Sequence, residues 1–368
     1  MTSKFIKALP ALLGIAAALP VSAAQVELYG IIDMGLRMRM HDKIDGVKQA
    51  GTSVGMQTGQ FYPNMFALKG SERLDSGLTV SFSLENRFNS DTGTFAESGR
   101  FFDNQALLMI SGEKWTAAAG RMEGISSTMG EFDMAAPMDP FEGGWEEAGG
   151  YNVFANIGLS ANNALALRVK PAEGLTVTGA YSLSQRDSEA SRYGDNPHYM
   201  ALGTLYQAGA LMLSATYESV SKDKLEAGER TDHVFKVSAN YDFGPARVFG
   251  AYQRTRAHKW FGQYVSADSY MLGLTAPVAG GLLRTSVQML DGGRTQVGGR
   301  TFSPQRLVAA VGYTYELSKR TILWSTVSAS RGRKSLHRNS SGSYAMADSD
   351  SRQEANRRML SVGVTHMF

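Results

Sequence analysis

From Gln25 onward the chain alternates. Val26, Leu28, Gly30, Ile32, Met34, Leu36, Met38 and Met40 share one parity, and Gln25, Glu27, Tyr29, Ile31, Asp33, Gly35, Arg37 and Arg39 share the other. Successive side chains of a strand point to opposite faces, so the stretch predicts a strand with one apolar face and one face bearing both signs of charge. Ordinary globular strands run to about 5 or 6 residues, whereas a strand tilted across a bilayer needs roughly 9 to 11. This one is of the longer kind.

The pattern recurs. Leu78, Val80, Phe82 and Leu84 oppose Thr79, Ser81, Ser83, Glu85 and Arg87; Phe235, Val237, Ala239, Tyr241 and Phe243 oppose Lys236, Ser238, Asn240 and Asp242. Leu307, Ala309, Val311, Tyr313, Tyr315 and Leu317 oppose Arg306, Gly312, Thr314 and Glu316. Near the end, Leu360, Val362, Val364, His366 and Phe368 oppose Arg357, Met359, Ser361, Gly363 and Thr365. Connections alternate as well. "ERLDSG", "GEK", "PAEG", "QAGA", "FGPA", "VAGG" and "LSKR" are short; the polar stretches 41–62, 89–102, 121–158, 185–197, 221–231, 292–305 and 333–354 are long. Apolar faces outward, polar faces inward, and short turns opposite long loops predict an all-β protein: a transmembrane antiparallel barrel of about 16 strands around a water-filled interior. Closure requires the last strand to pair with the first, since an open edge is not tolerated in hydrocarbon. Trp115, Tyr241, Phe243 and Phe368 are then placed in an aromatic belt at the short-turn side.

Composition agrees with strands and turns: 40 Gly, 10 Pro, 15 Tyr and 17 Phe. The net charge of +3 carries no basic excess for a nucleic-acid partner. The absence of Cys excludes disulfides and thiolate metal sites. Residues 1–24 have Lys4 and Lys7, an apolar stretch Ala8–Leu19 and small residues at Ser22, Ala23 and Ala24. That is the layout of a cleaved signal peptide, which leaves 25–368 as one barrel domain.

Six stretches in order, "VELYGIIDMGL", "FALKGSERLDSGLTVSFSLENRFNSDTG", "ALLMISGEKWTAAAGR", "SYMLGLTAPVAGGLL", "VGYTYELSKRTIL" and "RRMLSVGVTHMF", resemble the Gram-negative trimeric porins typical of betaproteobacteria. The resemblance implies a sixteen-stranded barrel, a homotrimer in the outer membrane among lipid and lipopolysaccharide, and a long third loop folded into the lumen. It also implies that Phe368 belongs to a C-terminal signal read by the barrel-assembly machinery. The function implied is passive diffusion of small hydrophilic solutes and ions.

A passive pore has a cross-section and a field instead of a catalytic step. The longest connection follows Arg121, where the family's inserted loop begins. Between Met122 and Leu167 it holds Glu123, Glu131, Asp133, Asp139, Glu142, Glu146 and Glu147, with no Lys or Arg. Pro137 and Pro140 stiffen it. Basic residues of lumen parity are Arg37, Arg39, Lys69, Arg87, Arg168, Lys170, Lys236, Arg247 and Arg284. An acidic loop facing a basic wall sets a transverse field across the constriction. Arg37, Arg39, Lys69, Arg87 and Arg168 are favoured as the facing groups because they lie in the first six strands, near the loop's origin. Relatives often carry Arg where this chain has Met65, within Asp103–Gln105, and near Ala166; the thinner basic set predicts weak selectivity leaning toward cations. The methionines around the loop read as flexible packing. The six histidines form no recognisable motif and no G-x-S-x-G occurs, so no catalytic residue, metal or cofactor is expected. A substrate-specific channel of the same architecture is the alternative; a barrel enzyme or an adhesin is weaker.

Overall fold

The computed structural model describes residues 25–40, 43–44, 47–48, 52–145, 148–149, 153–155, 160–188, 190–226, 228, 230–260, 263–297, 300–303, 305–333, 336–338, 344–346 and 357–368. Sixteen strands form the barrel wall: β1 (Gln25–Met40), β2 in two segments (Thr52–Thr58 and Met65–Arg73), β3 (Thr79–Asn89), β4 (Gln105–Ser111), β5 (Trp115–Met122), β6 (Ala161–Ala172), β7 (Leu175–Ser182), β8 (Tyr199–Ala208), β9 (Leu211–Val220), β10 (Asp232–Asp242), β11 (Arg247–Trp260), β12 (Gln263–Val278), β13 (Gly281–Gly292), β14 (Gln305–Ser318), β15 (Thr321–Arg333) and β16 (Arg357–Met367). Each pairs antiparallel with its sequence neighbours. The ring closes through β1 and β16, in register from Ile31↔Met367 to Met40↔Arg358. At the end of that seam Gly30 N–H donates to Phe368 O and Phe368 N–H to Gly30 O, both at 3.0 Å. Phe368 thus completes the ladder with its backbone, and its ring lies over Gly30, whose Cβ would stand 2.4 Å from Cζ.

The predicted parity holds. Val26, Leu28, Ile32 and Leu36 are exposed on the outer face, whereas Asp33 is fully buried. On the closing strand Val362, Val364 and Phe368 are exposed; Met359, Ser361 and Thr365 are not. A lipid-facing row needs apolar groups, and an inward row needs polar ones that water or neighbours can satisfy. All seven predicted short connections join strands at one end. Trp115, Tyr241, Phe243, Tyr315 and Phe368 are exposed there.

Two features depart from the sequence reading. Part of the expected loop 41–62 is strand: Thr52–Thr58 pairs with Met34–Met40, while Met65–Ser71 pairs with Gln25–Ile31. The second strand is therefore interrupted by a bend, 59–64. Second, the inner face is not polar throughout. Val234, Phe249, Met271, Val308 and Ala310 are inward and buried. The reason is what they face, which is the loop after β5.

The seam is tightly packed on its inner side. The Trp324 ring lies over Gly35 and Gly363, where an added Cβ would stand 2.8 Å and 2.2 Å from ring carbons. Only residues without a side chain leave room for an indole pressed flat on the sheet.

Candidate functional site

The loop after β5 runs along the inner wall to the far side of the barrel and returns. Its outgoing arm turns on its own carboxylates. Asp133 accepts N–H bonds from Thr128 (3.1 Å), Ala135 (2.7 Å) and Ala136 (3.1 Å), which starts a single 3-10 turn at Ala136–Met138. Asp139 then accepts from Phe141 N–H at 2.7 Å. Such side-chain acceptors replace the ladder partners that loop backbone lacks.

Wall side chains fasten both arms by bonding to loop carbonyls. On the outgoing arm, Arg168 donates to Glu131 O, Asn240 Nδ2 to Pro137 O (2.8 Å) and Arg284 Nη1 to Pro140 O (2.7 Å). On the return arm, Gln288 and Ser286 donate to Ala148 O, Ser269 to Val153 O and Gln253 to Ala155 O. Each bond contributes about 1 kcal/mol net. Apolar residues supply the rest: Ile125, Phe132, Met134, Met138, Phe141 and Trp145 are at most 2% exposed. They fit because three inward glycines make a track in the wall. A Cβ on Gly203 would stand 2.6 Å from Met134 Sδ, on Gly273 2.5 Å from Pro140 Cγ, and on Gly312 2.7 Å from Phe141 Cε1. Replacing Gly312 by leucine is therefore expected to lift the arm off β14 into the lumen and cut single-channel conductance by roughly half or more, with the barrel still folded. Unchanged conductance in planar bilayers would show that the track does not set the loop's height.

The loop acids do different jobs. Glu123 is buried, accepts from Ser160 Oγ at 3.1 Å, and burial pushes its carboxyl up to about 8 against the pull of Arg87. Burial also raises Asp133 and Asp139, their backbone bonds pulling the other way. Glu131 stands in the open: its side chain is 42% exposed, its N–H is held by Gln105 Oε1 at 3.0 Å, and a carboxylate oxygen lies 3.7 Å from Arg168. Glu142 bonds to Tyr62 Oη–H and to Arg284 at 2.9 Å. Glu146 and Glu147 lie outside the described residues.

Of the basic residues favoured from sequence, Lys69 borders the lumen, 3.2 Å from Glu27 and 4.8 Å above the Tyr29 ring. Arg168 lies over the Phe132 ring at 4.8 Å. Arg87 is tied to Asp103 at 2.8 Å. Arg37 and Arg39 are half-buried on the inner face toward the long-loop end. Two more bases meet the loop, Arg284 through Glu142 and Pro140, and Lys236, whose ammonium is 5.0 Å from the Phe154 ring. Closeness in sequence to the loop's origin did not favour these two, because the loop crosses to strands that come much later. Lumen parity had flagged both.

With the loop against β8–β15, open space remains beside β1–β5. It forms a cavity of about 850 Å³ bordered by Glu27, Lys69, Glu85, Glu131, Tyr29 and Tyr62 among others. Glu85 is fixed there by Tyr29 Oη–H (2.7 Å) and Asn104 Nδ2 (2.6 Å). Three carboxylates thus stand against one ammonium on this lining. Among the described residues no group of three or more His, Cys, Asp or Glu is placed to hold a metal ion.

A family model described as Gram-negative porin matches residues 8–335. An outer membrane porin protein of Bordetella pertussis is 29% identical over 395 residues, covering 94% of this chain and 96% of the relative. Outer membrane porin protein 32 of Delftia acidovorans is 26% identical, covering 95% of each. Among solved structures, an anion-selective porin from Comamonas acidovorans superposes with a TM-score of 0.73 at 21% identity, over 94% of this chain and all of that one.

Proposed function

The chain belongs to the Gram-negative porin family and is an outer-membrane β-barrel, and from that premise we propose that it is a general diffusion channel for small hydrophilic solutes and ions, narrowest where Glu131 faces Lys69 across the open side of the lumen. The observation that carries this reading is the off-axis cavity between the β1–β5 wall and the inserted loop. It is bordered by charged and hydroxyl groups, which keep a water column in place and exclude apolar solutes. Glu142, with Arg284 and Tyr62, flanks the same loop face. Arg37, Arg39 and Arg87 form the wall of the vestibule toward the long loops, and Arg168 steadies Glu131. Glu123, Asp133 and Asp139 shape the loop from behind. Three carboxylates against Lys69 favour cations weakly, unlike the Comamonas protein named as anion-selective. The working form is a homotrimer among outer-membrane lipid and lipopolysaccharide. It is exported by residues 1–24 and inserted by the barrel-assembly machinery through the strand ending at Phe368.

Planar-bilayer recording of the purified protein tests this. Ohmic, non-saturating conductance is expected, with a reversal potential in a salt gradient on the cation side. No conductance would refute the channel. Conductance that saturates at low solute concentration would favour a substrate-specific pore, and a strong anion preference would refute the assigned charge pattern.

A further inference from the structure

Asp33 lies on the inner face of β1 and is fully buried, yet no basic side chain pairs with it among the described ion pairs. Four neutral donors surround its carboxylate instead. Oδ1 accepts from Gln60 N–H (2.6 Å) and Phe61 N–H (3.2 Å), and Oδ2 accepts from Trp324 Nε1–H (2.8 Å) and Thr365 Oγ1–H. Its backbone joins in: Asp33 N–H donates to Asn64 Oδ1 at 2.5 Å, and Asp33 O accepts from Gly59 N–H at 3.1 Å. The set is chemically selective. Four converging donors are matched by a carboxylate, which only accepts, and not by an amide, whose NH2 would be turned on two of them.

Three of these four donors also meet the inserted loop. Gln60 and Phe61 belong to the bend that interrupts β2. Gln60 O accepts Trp145 N–H at 2.6 Å, and the Phe61 ring meets the Trp145 ring edge-on at 4.7 Å between centroids. Tyr62, next in the bend, holds Glu142. Trp324 meets Trp145 from the other side, at 5.9 Å. The contacts of Trp145 with Gln60, Phe61 and Trp324 thus run through groups that Asp33 holds.

We propose that Asp33 is a positioning residue for the channel: its carboxylate keeps the 59–64 bend and Trp324 in the arrangement that receives Trp145 and Glu142, and so fixes how far the loop stands into the lumen. This rests on the reading of the lumen as a diffusion channel and adds a residue that touches no solute. Thr365 separates the role from seam closure, because it bonds to the same carboxylate but lies on β16, away from the loop.

The test compares Asp33→Asn, Asn64→Ala and Thr365→Val with the wild-type barrel. Folding is read from the mobility of unheated protein on gels and the pore from single-channel recording. Asp33→Asn and Asn64→Ala, which loosen the bend, are expected to raise the occupancy of sub-conductance levels by about tenfold or more. A tenfold change corresponds to losing roughly one charge-assisted hydrogen bond from the docked state. Thr365→Val is expected to unfold at lower temperature with open-channel current unchanged. Should Asp33→Asn not fold, Asn64→Ala decides, since it leaves the carboxylate and the seam intact. Folded variants with wild-type current records, or equal current changes in Thr365→Val, would overturn the proposal. A wild-type barrel that does not conduct would instead sink the channel reading itself.

Discussion

A Glu131→Lys channel is expected to exchange a cation preference for an anion preference. Glu131 is the loop carboxylate that borders the open cavity, its side chain 42% exposed with Arg168 3.7 Å away. Its neighbours Gln105 and Arg168 hold its backbone, so the position survives loss of the acid. The substitution moves the local charge by two units and sets a new ammonium beside Arg168, on the same side of the water column. Near water-like dielectric, two units a few ångströms from the ion path are worth on the order of 2 kcal/mol per monovalent ion, so the cation-to-anion permeability ratio should fall by tenfold or more. Screening supplies an internal control. The shift should be large near 0.1 M salt, where the Debye length is about 10 Å, and much smaller near 1 M, where it is about 3 Å. A reversal potential that does not move at low salt would mean that ions pass elsewhere. Neutralising Glu123, Asp133 or Asp139 should have little effect on selectivity, because none of the three faces the open cavity.

Gly363→Val should prevent the barrel from closing. A side chain there meets Trp324 Cζ2 at 2.2 Å and Met34 O at 2.5 Å, so both an indole buried in the wall and the backbone of β1 would have to move. Overpacking against backbone across a strand pair costs on the order of 3 kcal/mol or more. The seam is also the one place where the ring has no sequence-local hairpin to hold it. The expected result is refolding into detergent micelles with almost no heat-modifiable band. Gly55→Val on β2, where a Cβ meets nothing within 4 Å, should refold like wild type. Normal refolding of Gly363→Val would show that Trp324 yields readily, which its bond to Asp33 argues against.

The barrel was legible because lipid imposes strict alternation. Each membrane strand repeats its apolar parity, and the short turns mark one end. Legibility failed where protein takes the place of lipid or water. On β14 the two faces were assigned correctly from Arg306, Gly312 and Thr314, but Val308 and Ala310 between them are inward and apolar because they pack under the loop, so that row does not line open lumen. The first segment of β2 was missed because its two apolar residues, Val54 and Met56, stand among Thr52, Ser53, Gly55, Gln57 and Thr58 in a stretch that reads as polar loop. At the site, the acidic run was conspicuous, but charge type does not tell a carboxylate that caps backbone, as Asp133 does, from one that faces solvent, as Glu131 does. Lys236 and Arg284 had the right parity and were passed over on distance along the chain. The inward glycines Gly203, Gly273 and Gly312 were the available hint of where the loop lies: glycine weakens a strand unless something must come close.

The loop's fastenings have a bearing on the order of assembly. The wall groups that bond its carbonyls on β10–β13 lie 98 to 144 positions further along the chain, and Trp324 comes later still. The loop cannot settle into its final place until β10–β15 have arrived. Contacts so remote in sequence slow folding, because a large chain loop must close before any of them forms. Its far end also rests on Trp324 and the 59–64 bend, beside the seam where Asp33 of β1 bonds Thr365 of β16. The docking surface for the loop's far end is therefore complete only once the two ends of the chain have met.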